Sequence, residues 1–313
     1  MNLYFTDHFE LPLPPAHRFP MAKYRQLRQR LLASDWAEGC LFHEPDAATD
    51  QQLCLAHSAD YVHRVIAGQL TDKEIRRIGF PWSPGMVERS RRSVGATIAA
   101  GCAALAEGFG VNLAGGTHHA SRDAGEGFCV FNDVAVAART LQHEGRVRRA
   151  LVVDADVHQG NGTASIFADD PSVFTFSIHG AKNFPLRKHP GDLDVALPDG
   201  TDDASYLEAL DDALDRILDL EAYDVVFYLA GADPFEGDRL GRMQLTKQGL
   251  QQRDRSVLGR CRRAGLPVAI AMAGGYARQI EDIVDIHAAT IRIALEVAGP
   301  LPPIPPKNTW PGA

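Results

Sequence analysis

The stretch Val152-Val153-Asp154-Ala155-Asp156-Val157-His158-Gln159-Gly160-Asn161-Gly162 decides the fold of this chain. It opens with β-branched apolar residues, the composition of a strand buried on both faces in a parallel sheet. It closes on two aspartates, a histidine and a Gly-Asn-Gly turn. In extended backbone Asp156 and His158, two residues apart, point the same way, and Asp154 joins them where the strand is regular. A solvated turn with incidental acids is the plain alternative. A carboxylate and an imidazole at the end of a buried strand are costly core filler, however, and a metal ion is one of the few partners that offsets them.

Bulk properties narrow the surroundings. The 313 residues suffice for one large α/β domain or two ordinary ones, and 45% hydrophobic with 23% charged residues excludes disorder over most of the length. A net charge of −8 without any Lys/Arg block argues against a nucleic-acid partner and is compatible with basic peptide substrates. The five cysteines, Cys40, Cys54, Cys102, Cys129 and Cys261, are scattered without a CxxC, as free thiols of a reducing compartment are. Residues Met1 to Asp7 carry neither a basic nor a long apolar region, and no segment approaches the roughly 18 consecutive apolar residues of a spanning helix. The expectation is a cytoplasmic protein without a membrane partner.

Outward from the quoted stretch, short apolar runs alternate with longer amphipathic ones. Strands are expected at Asn2–Phe5, Val111–Ala114, Ala150–Asp154, Val173–Ile178, Val225–Ala230 and Pro267–Ala271. Helices are expected at Ala22–Ala33, Pro84–Glu107, Phe131–His143, Asp203–Leu218, Thr246–Ala264 and Glu281–Val297, with Asp203 and Thr246 at N-cap positions. This rhythm predicts an α/β fold of three layers, a mainly parallel central sheet with helices on both faces. No repeat or Ser/Gly linker divides the chain, so residues 1–313 read as one domain ending in a Pro-rich tail over about 299–313.

Active sites of open α/β sheets collect beyond the carboxyl ends of strands. Five polar strand exits lie there: Gly115-Gly116-Thr117-His118-His119, Asp156 with His158, Ser177-Ile178-His179, Gly231-Ala232-Asp233 and Gly274-Gly275-Tyr276. Asp156, His158 and Asp233 make a three-ligand set that leaves Zn²⁺ open positions. His118 and His119 can supply base and acid, and Tyr276 a neutral oxyanion donor. Singly, a His-His pair is most often a satisfied structural element and a Gly-Gly-Tyr a turn; together they form one hydrolytic set.

These segments resemble the zinc-dependent histone deacetylase family, which has the arginase–deacetylase fold. The matching stretches are GGTHHASRDAGEGFCVFND (115–133), VVDADVHQGNG (152–162), VFTFSIH (173–179), AGADPFEGDRLG (230–241) and AGGY (273–276), in the family's order. HQGNG and GDRLG are most similar to class IV members and their bacterial relatives. The resemblance implies zinc held by Asp156, His158 and Asp233, with His119 as general base and acid and Tyr276 as oxyanion donor. His118 would act electrostatically, oriented by Asp154. Asn161 stands where some members carry an aspartate, so His119 should be less basic than an Asp-paired histidine. The resemblance further implies a K⁺ or Na⁺ site using Asp154, Asp156, the His158 carbonyl, Ser177 and the Ile178 carbonyl, and a second using carbonyls near Phe167, Asp170 and Val173. Gly127 and Phe128 match the tunnel segment that receives the substrate amide, and Phe184 is a candidate for the opposite wall. Leu240 stands where acetylpolyamine hydrolases of the superfamily can place a glutamate. The implied substrate is therefore an acyl-lysine of a protein or peptide, with acetylpolyamines or related amides as the alternative.

Overall fold

The computed structural model describes residues 1–14 and 16–299 and contains eight strands. In chain order they are β1 (Asn2–Tyr4), β2 (Leu41–His43), β3 (Phe109–Asn112), β4 (Ala150–Asp154), β5 (Val173–Gly180), β6 (Leu193–Leu197), β7 (Val225–Leu229) and β8 (Val268–Ala271). All pair in parallel in one sheet, β2-β1-β3-β8-β7-β4-β5-β6. Ten helices accompany them: α1 (Lys23–Leu32), α2 (Asp50–Leu53), α3 (Ala59–Ile66), α4 (Asp72–Ile78), α5 (Pro84–Glu107), α6 (Asp133–His143), α7 (Asn161–Phe167), α8 (Asp203–Leu220), α9 (Lys247–Arg263) and α10 (Ile280–Ala298).

The period-two alternation of strand side chains sorts the core into two faces. Leu151, Val153, Val226, Tyr228, Val268 and Ile270 pack with apolar residues of α1, α8, α9 and α10. Val152, Val225, Phe227 and Ala269 point the other way, against α3, α5 and α6. This is the three-layer α/β/α architecture of the arginase–deacetylase fold. No helix among the described residues is long and apolar enough to cross a membrane, and all five cysteines are free.

β4 and α5 have the bounds their sequence predicts, and the other long elements agree within a few residues. The differences have local causes. β3 begins earlier and stops at Asn112, because the Asn112 side chain turns back to accept the Ala114 N–H at 2.9 Å. The N-cap of α8 is Asp202, which accepts the Ser205 N–H; Asp203 instead accepts from the Thr246 backbone and hydroxyl. β2 and β6 escape sequence reading as short edge strands, half-exposed and without a long apolar run. α2 and α4 are single turns or little more, each started by a capping box, Thr49 with Gln52 and Thr71 with Glu74. The Pro-rich ending beyond Gly299 lies outside the described residues.

The connectivity sets where chemistry can sit. From β4 the chain moves outward to β5 and β6, then returns on the opposite side of β4 for β7 and β8, which fill the gap next to β3. The crevice at the carboxyl ends of β4 and β7 is therefore a topological switch point, where open α/β sheets bind ligands.

Close helix–sheet packing depends on Gly110 of β3, where a Cβ would lie 2.2 Å from the Ala100 carbonyl oxygen of α5. Gly110→Ala should destabilise the protein by about 1–3 kcal/mol, the usual range for overpacking. Gly85, whose Cβ would meet only Ser83 Oγ at 3.7 Å, is the control. Gly85→Ala should leave the denaturation midpoint unchanged or raise it slightly, and equal losses at both positions would contradict this packing account.

Candidate active site

The switch point holds the three candidate ligands. β4 ends at Asp154, so Asp156 and His158 sit on the loop beyond it, not on one extended strand face as their spacing predicts. The loop still converges them: Asp156 Oδ1 accepts the His158 backbone N–H at 2.9 Å and lies 3.0 Å from His158 Nδ1. Asp233, four residues past the end of β7, brings Oδ2 to 3.2 Å from the same nitrogen, while its Oδ1 accepts the Val157 N–H at 2.9 Å. All three residues are buried, with ligand atoms within 4.8 Å of one another. Gly274 N–H donates to Asp156 Oδ2 at 2.7 Å. A Cβ on Gly274 would come within 2.0 Å of Asp233 Oδ2, so this close approach requires glycine.

The electrostatics ask for a cation. Burial, and then the neighbouring Asp156 charge, push the Asp233 carboxyl up to about 7. Burial opposes a charge on His158, but its contacts with Asp156 and Asp233 outweigh that and push the ring up to about 10. Asp233 Oδ2 is buried and accepts no hydrogen bond, and burying such an atom is costly. Two carboxylates and an imidazole aimed at one point, with an orphaned oxygen among them, fit a Zn²⁺ ion in number and donor type.

The histidine pair stands beside this trio. His118 Nδ1 is 2.6 Å from Asp154 Oδ2, and His119 Nδ1 is 2.7 Å from Asn161 Oδ1, at the first residue of α7. Burial works against a charge on His118, but Asp154 and then Asp156 outweigh it and push the ring up to about 9. His119 goes the other way: burial first, then its histidine neighbours, hold it well below the usual imidazole range. With Asn161 Oδ1 as acceptor, His119 carries its proton on Nδ1 and leaves Nε2 free to act as base. Tyr276 lies across from His158, ring centroids 6.2 Å apart. Burial first, then Asp233 and Asp156, keep its phenol far above its ordinary pKa and hence neutral.

A cavity of about 330 Å³ opens over His119, His158 and Tyr276, and Phe128, Phe184 and Leu240 line it. Phe184 meets His119 edge-on at 4.9 Å and is 40% exposed. Gly127 and Phe128 have φ of +56° and +66°. A Cβ on Gly127 would reach His119 Cδ2 at 2.6 Å. Behind lies a smaller space of about 40 Å³ against Gly116, Cys129 and Gly274. The parallel register also sets Ser177 beside Asp154, two groups of the expected monovalent-cation site.

A family model described as "Histone deacetylase domain" matches residues 17–291. The chain belongs to the histone deacetylase family. It is 48% identical over 295 residues to an uncharacterized protein of Picosynechococcus sp., covering 94% of this chain and 98% of that one. It is 28% identical over 283 residues to Histone deacetylase 2 of Arabidopsis thaliana, covering 86% and 73%. Among solved structures, the HDA15 HD domain superposes with a TM-score of 0.80 at 24% identity, over 94% of this chain and 91% of that one, a likeness of fold.

Four further residues support this deacetylase-family site, none of them assigned a role from the sequence. Asp133, buried at the start of α6, accepts from the Gly116 and Thr117 N–H groups and from the hydroxyls of Thr97 and Thr117, which fixes the loop leading to His118. Asp238 accepts the N–H groups of Leu240, Gly241 and Tyr276 at 2.6–2.9 Å, tying the cavity wall to the tyrosine. Lys23 donates to the Ala273 and Gly275 carbonyls at 3.3 Å, behind the same loop. Arg253, fully buried on α9, donates to the Gly231 carbonyl at 2.5 Å and the Ala155 carbonyl at 3.3 Å, so it spans the two ligand-bearing strand exits. Its charge is met by Asp254, which also accepts from Tyr228 and Thr290. Asp133 and Asp238 stand inside the matching stretches 115–133 and 230–241, and Arg253 falls on the apolar stripe Leu250-Arg253-Val257 of its helix, so these three carried a signal and Lys23 did not.

Arg253→Met removes one member of a buried pair and leaves Asp254 uncompensated. It should cost about 3–5 kcal/mol in chemical denaturation. Arg253→Lys should recover part of this by keeping the charge, and a Met variant as stable as wild type would contradict the assigned role.

Proposed function

We propose that this chain is a zinc-dependent lysine deacylase of class IV-like type that removes acetyl or longer acyl groups from lysine side chains of proteins or peptides. The observation that carries the reading is the buried convergence of Asp156, His158 and Asp233 beside a neutral His119 and a neutral Tyr276. Zinc held by those three residues would supply Lewis acidity toward the acyl carbonyl and toward water. His119 Nε2 takes the proton of the attacking water and returns it to the departing lysine amine. Its partner Asn161 orients the ring without adding charge. His118, paired with Asp154, contributes a fixed positive field, and Tyr276 donates its hydroxyl to the carbonyl oxygen as negative charge develops there. A K⁺ or Na⁺ ion near Asp154, Asp156, His158, Ser177 and Ile178 is inferred as a structural companion.

The walls support the substrate class. Phe128, Phe184 and Leu240 suit the methylene stem of lysine, whereas a polyamine would bring cationic nitrogens against them with no carboxylate lining the cavity.

Asp233→Ala should lose both bound zinc and turnover; a variant that binds one equivalent of zinc and remains active would overturn the ligand set. Tyr276→Phe should keep fold and zinc yet lose on the order of 10²–10³ in kcat, the usual effect of removing one oxyanion donor. Activity within a few-fold of wild type would remove Tyr276 from that role.

On substrate, kcat/KM for acyl-lysine peptides should exceed that for acetylspermidine or acetylputrescine. Leu240→Glu should narrow or invert the preference against polyamines. A wild-type preference for acetylpolyamines would favour the small-molecule alternative instead.

A further inference from the structure

The mouth of the cavity has a charge opposite to that of the chain. The protein carries a net charge of −8. Yet three side chains lining the opening are Arg18, Lys182 and Arg242, and no aspartate or glutamate lines it. Arg18 is exposed and makes no ion pair among the described residues. Its carbonyl accepts Arg239 Nη2 at 3.1 Å, which brings a fourth cation close. Lys182 and Arg242 share one carboxylate, Asp199, at 3.9 and 3.2 Å. Arg239 is turned back onto the Tyr276 carbonyl at 2.9 Å and does not line the opening. The three lining cations thus face one partly exposed carboxylate. Three positive charges against one negative leave the mouth with a net positive field. Between the cations stand two exposed apolar side chains, Phe184 and Leu186, the latter 91% exposed.

Resting on the deacylase reading above, we propose that this mouth selects acyl-lysines flanked by acidic residues and disfavours those in Lys/Arg-rich segments. The lysine stem enters between Phe128 and Phe184, which leaves the residues on either side of it at the level of Arg18, Lys182 and Arg242. Carboxylates there meet complementary charge and are drawn to the opening, while basic flanks meet like charge. Leu186 and Phe184 add contact with apolar neighbours in the same segment. The overall negative charge of the chain, which by itself is compatible with basic substrates, does not describe the surface the substrate meets.

Matched acetyl-lysine peptides with Glu, Gln or Lys at the two positions on each side test this, at low and high ionic strength, with free Nε-acetyl-lysine as a further arm. The Glu-flanked peptide should exceed the Lys-flanked one by roughly tenfold or more in kcat/KM at low salt, and the ratio should shrink as salt rises. The double variant Arg18→Glu with Lys182→Glu, both exposed positions, should reverse the order. Equal rates for the three peptides, or an order the variant leaves untouched, would overturn the selectivity while leaving the deacylase reading intact. Free Nε-acetyl-lysine outrunning every peptide would assign the recognised carboxylate to the amino acid itself and overturn the claim about flanks. Turnover of acetylpolyamines with none of any peptide would overturn both readings.

Discussion

Two carboxylates, Asp156 and Asp233, are buried within reach of one imidazole nitrogen, and the surrounding architecture serves to hold them there. Removing an ion from water costs on the order of several kcal/mol even after relaxation, so two like charges in one small volume need a strong cationic partner. The fold cannot avoid this strain, because the ligands are delivered by adjacent strands at the switch point of the sheet. It distributes the constraint instead. The backbone N–H groups of Val157, His158 and Gly274 each donate to one of the two carboxylates. Arg253 fixes the carbonyls just ahead of both ligand loops from the far side of the sheet. The glycine at 274 lets a neighbouring loop close over the pair.

The same economy separates the two histidines. They are adjacent in sequence with ring centroids 4.2 Å apart, yet one faces a carboxylate and the other a neutral amide. Asp154 and then Asp156 push His118 up despite its burial, whereas burial and the neighbouring His118 and His158 hold His119 down. The two rings thereby take different work: a fixed charge at His118 and an empty nitrogen at His119. Dividing roles between paired groups by environment is the general way one site holds an acid and a base at one pH.

Much of this was legible in the chain because buried parallel strands are near-continuous apolar runs, so acids and histidines gathered just past the ends of several of them stand out. β4 is readable from Ala150 to Asp154 because all five residues are buried, and the ligands follow within four residues. What was not legible depends on partners distant in sequence. Lys23 looks like an ordinary charged residue until the fold sets it against Gly275, and the roles of Asp133 and Asp238 show only once the fold sets them against Thr117 and Tyr276. The edge strands β2 and β6 lack a pattern because half their surface faces water. The expectation of a continuous extended face through His158 failed because Asp156 turns the backbone to bond His158. The charge at the mouth was hidden for a related reason. Arg18, Lys182 and Arg242 are far apart in the chain, and net charge averages over surfaces the substrate never meets.

The central claim is that one cation satisfies the Asp156–His158–Asp233 cluster and that hydrolysis requires it. Chelator-treated protein titrated with zinc, with melting temperature and turnover of an acetyl-lysine peptide followed together, tests it most directly. Both should rise in parallel and saturate at one equivalent. Full turnover in the metal-free protein, or one equivalent of zinc bound with no gain in either melting temperature or turnover, would contradict it.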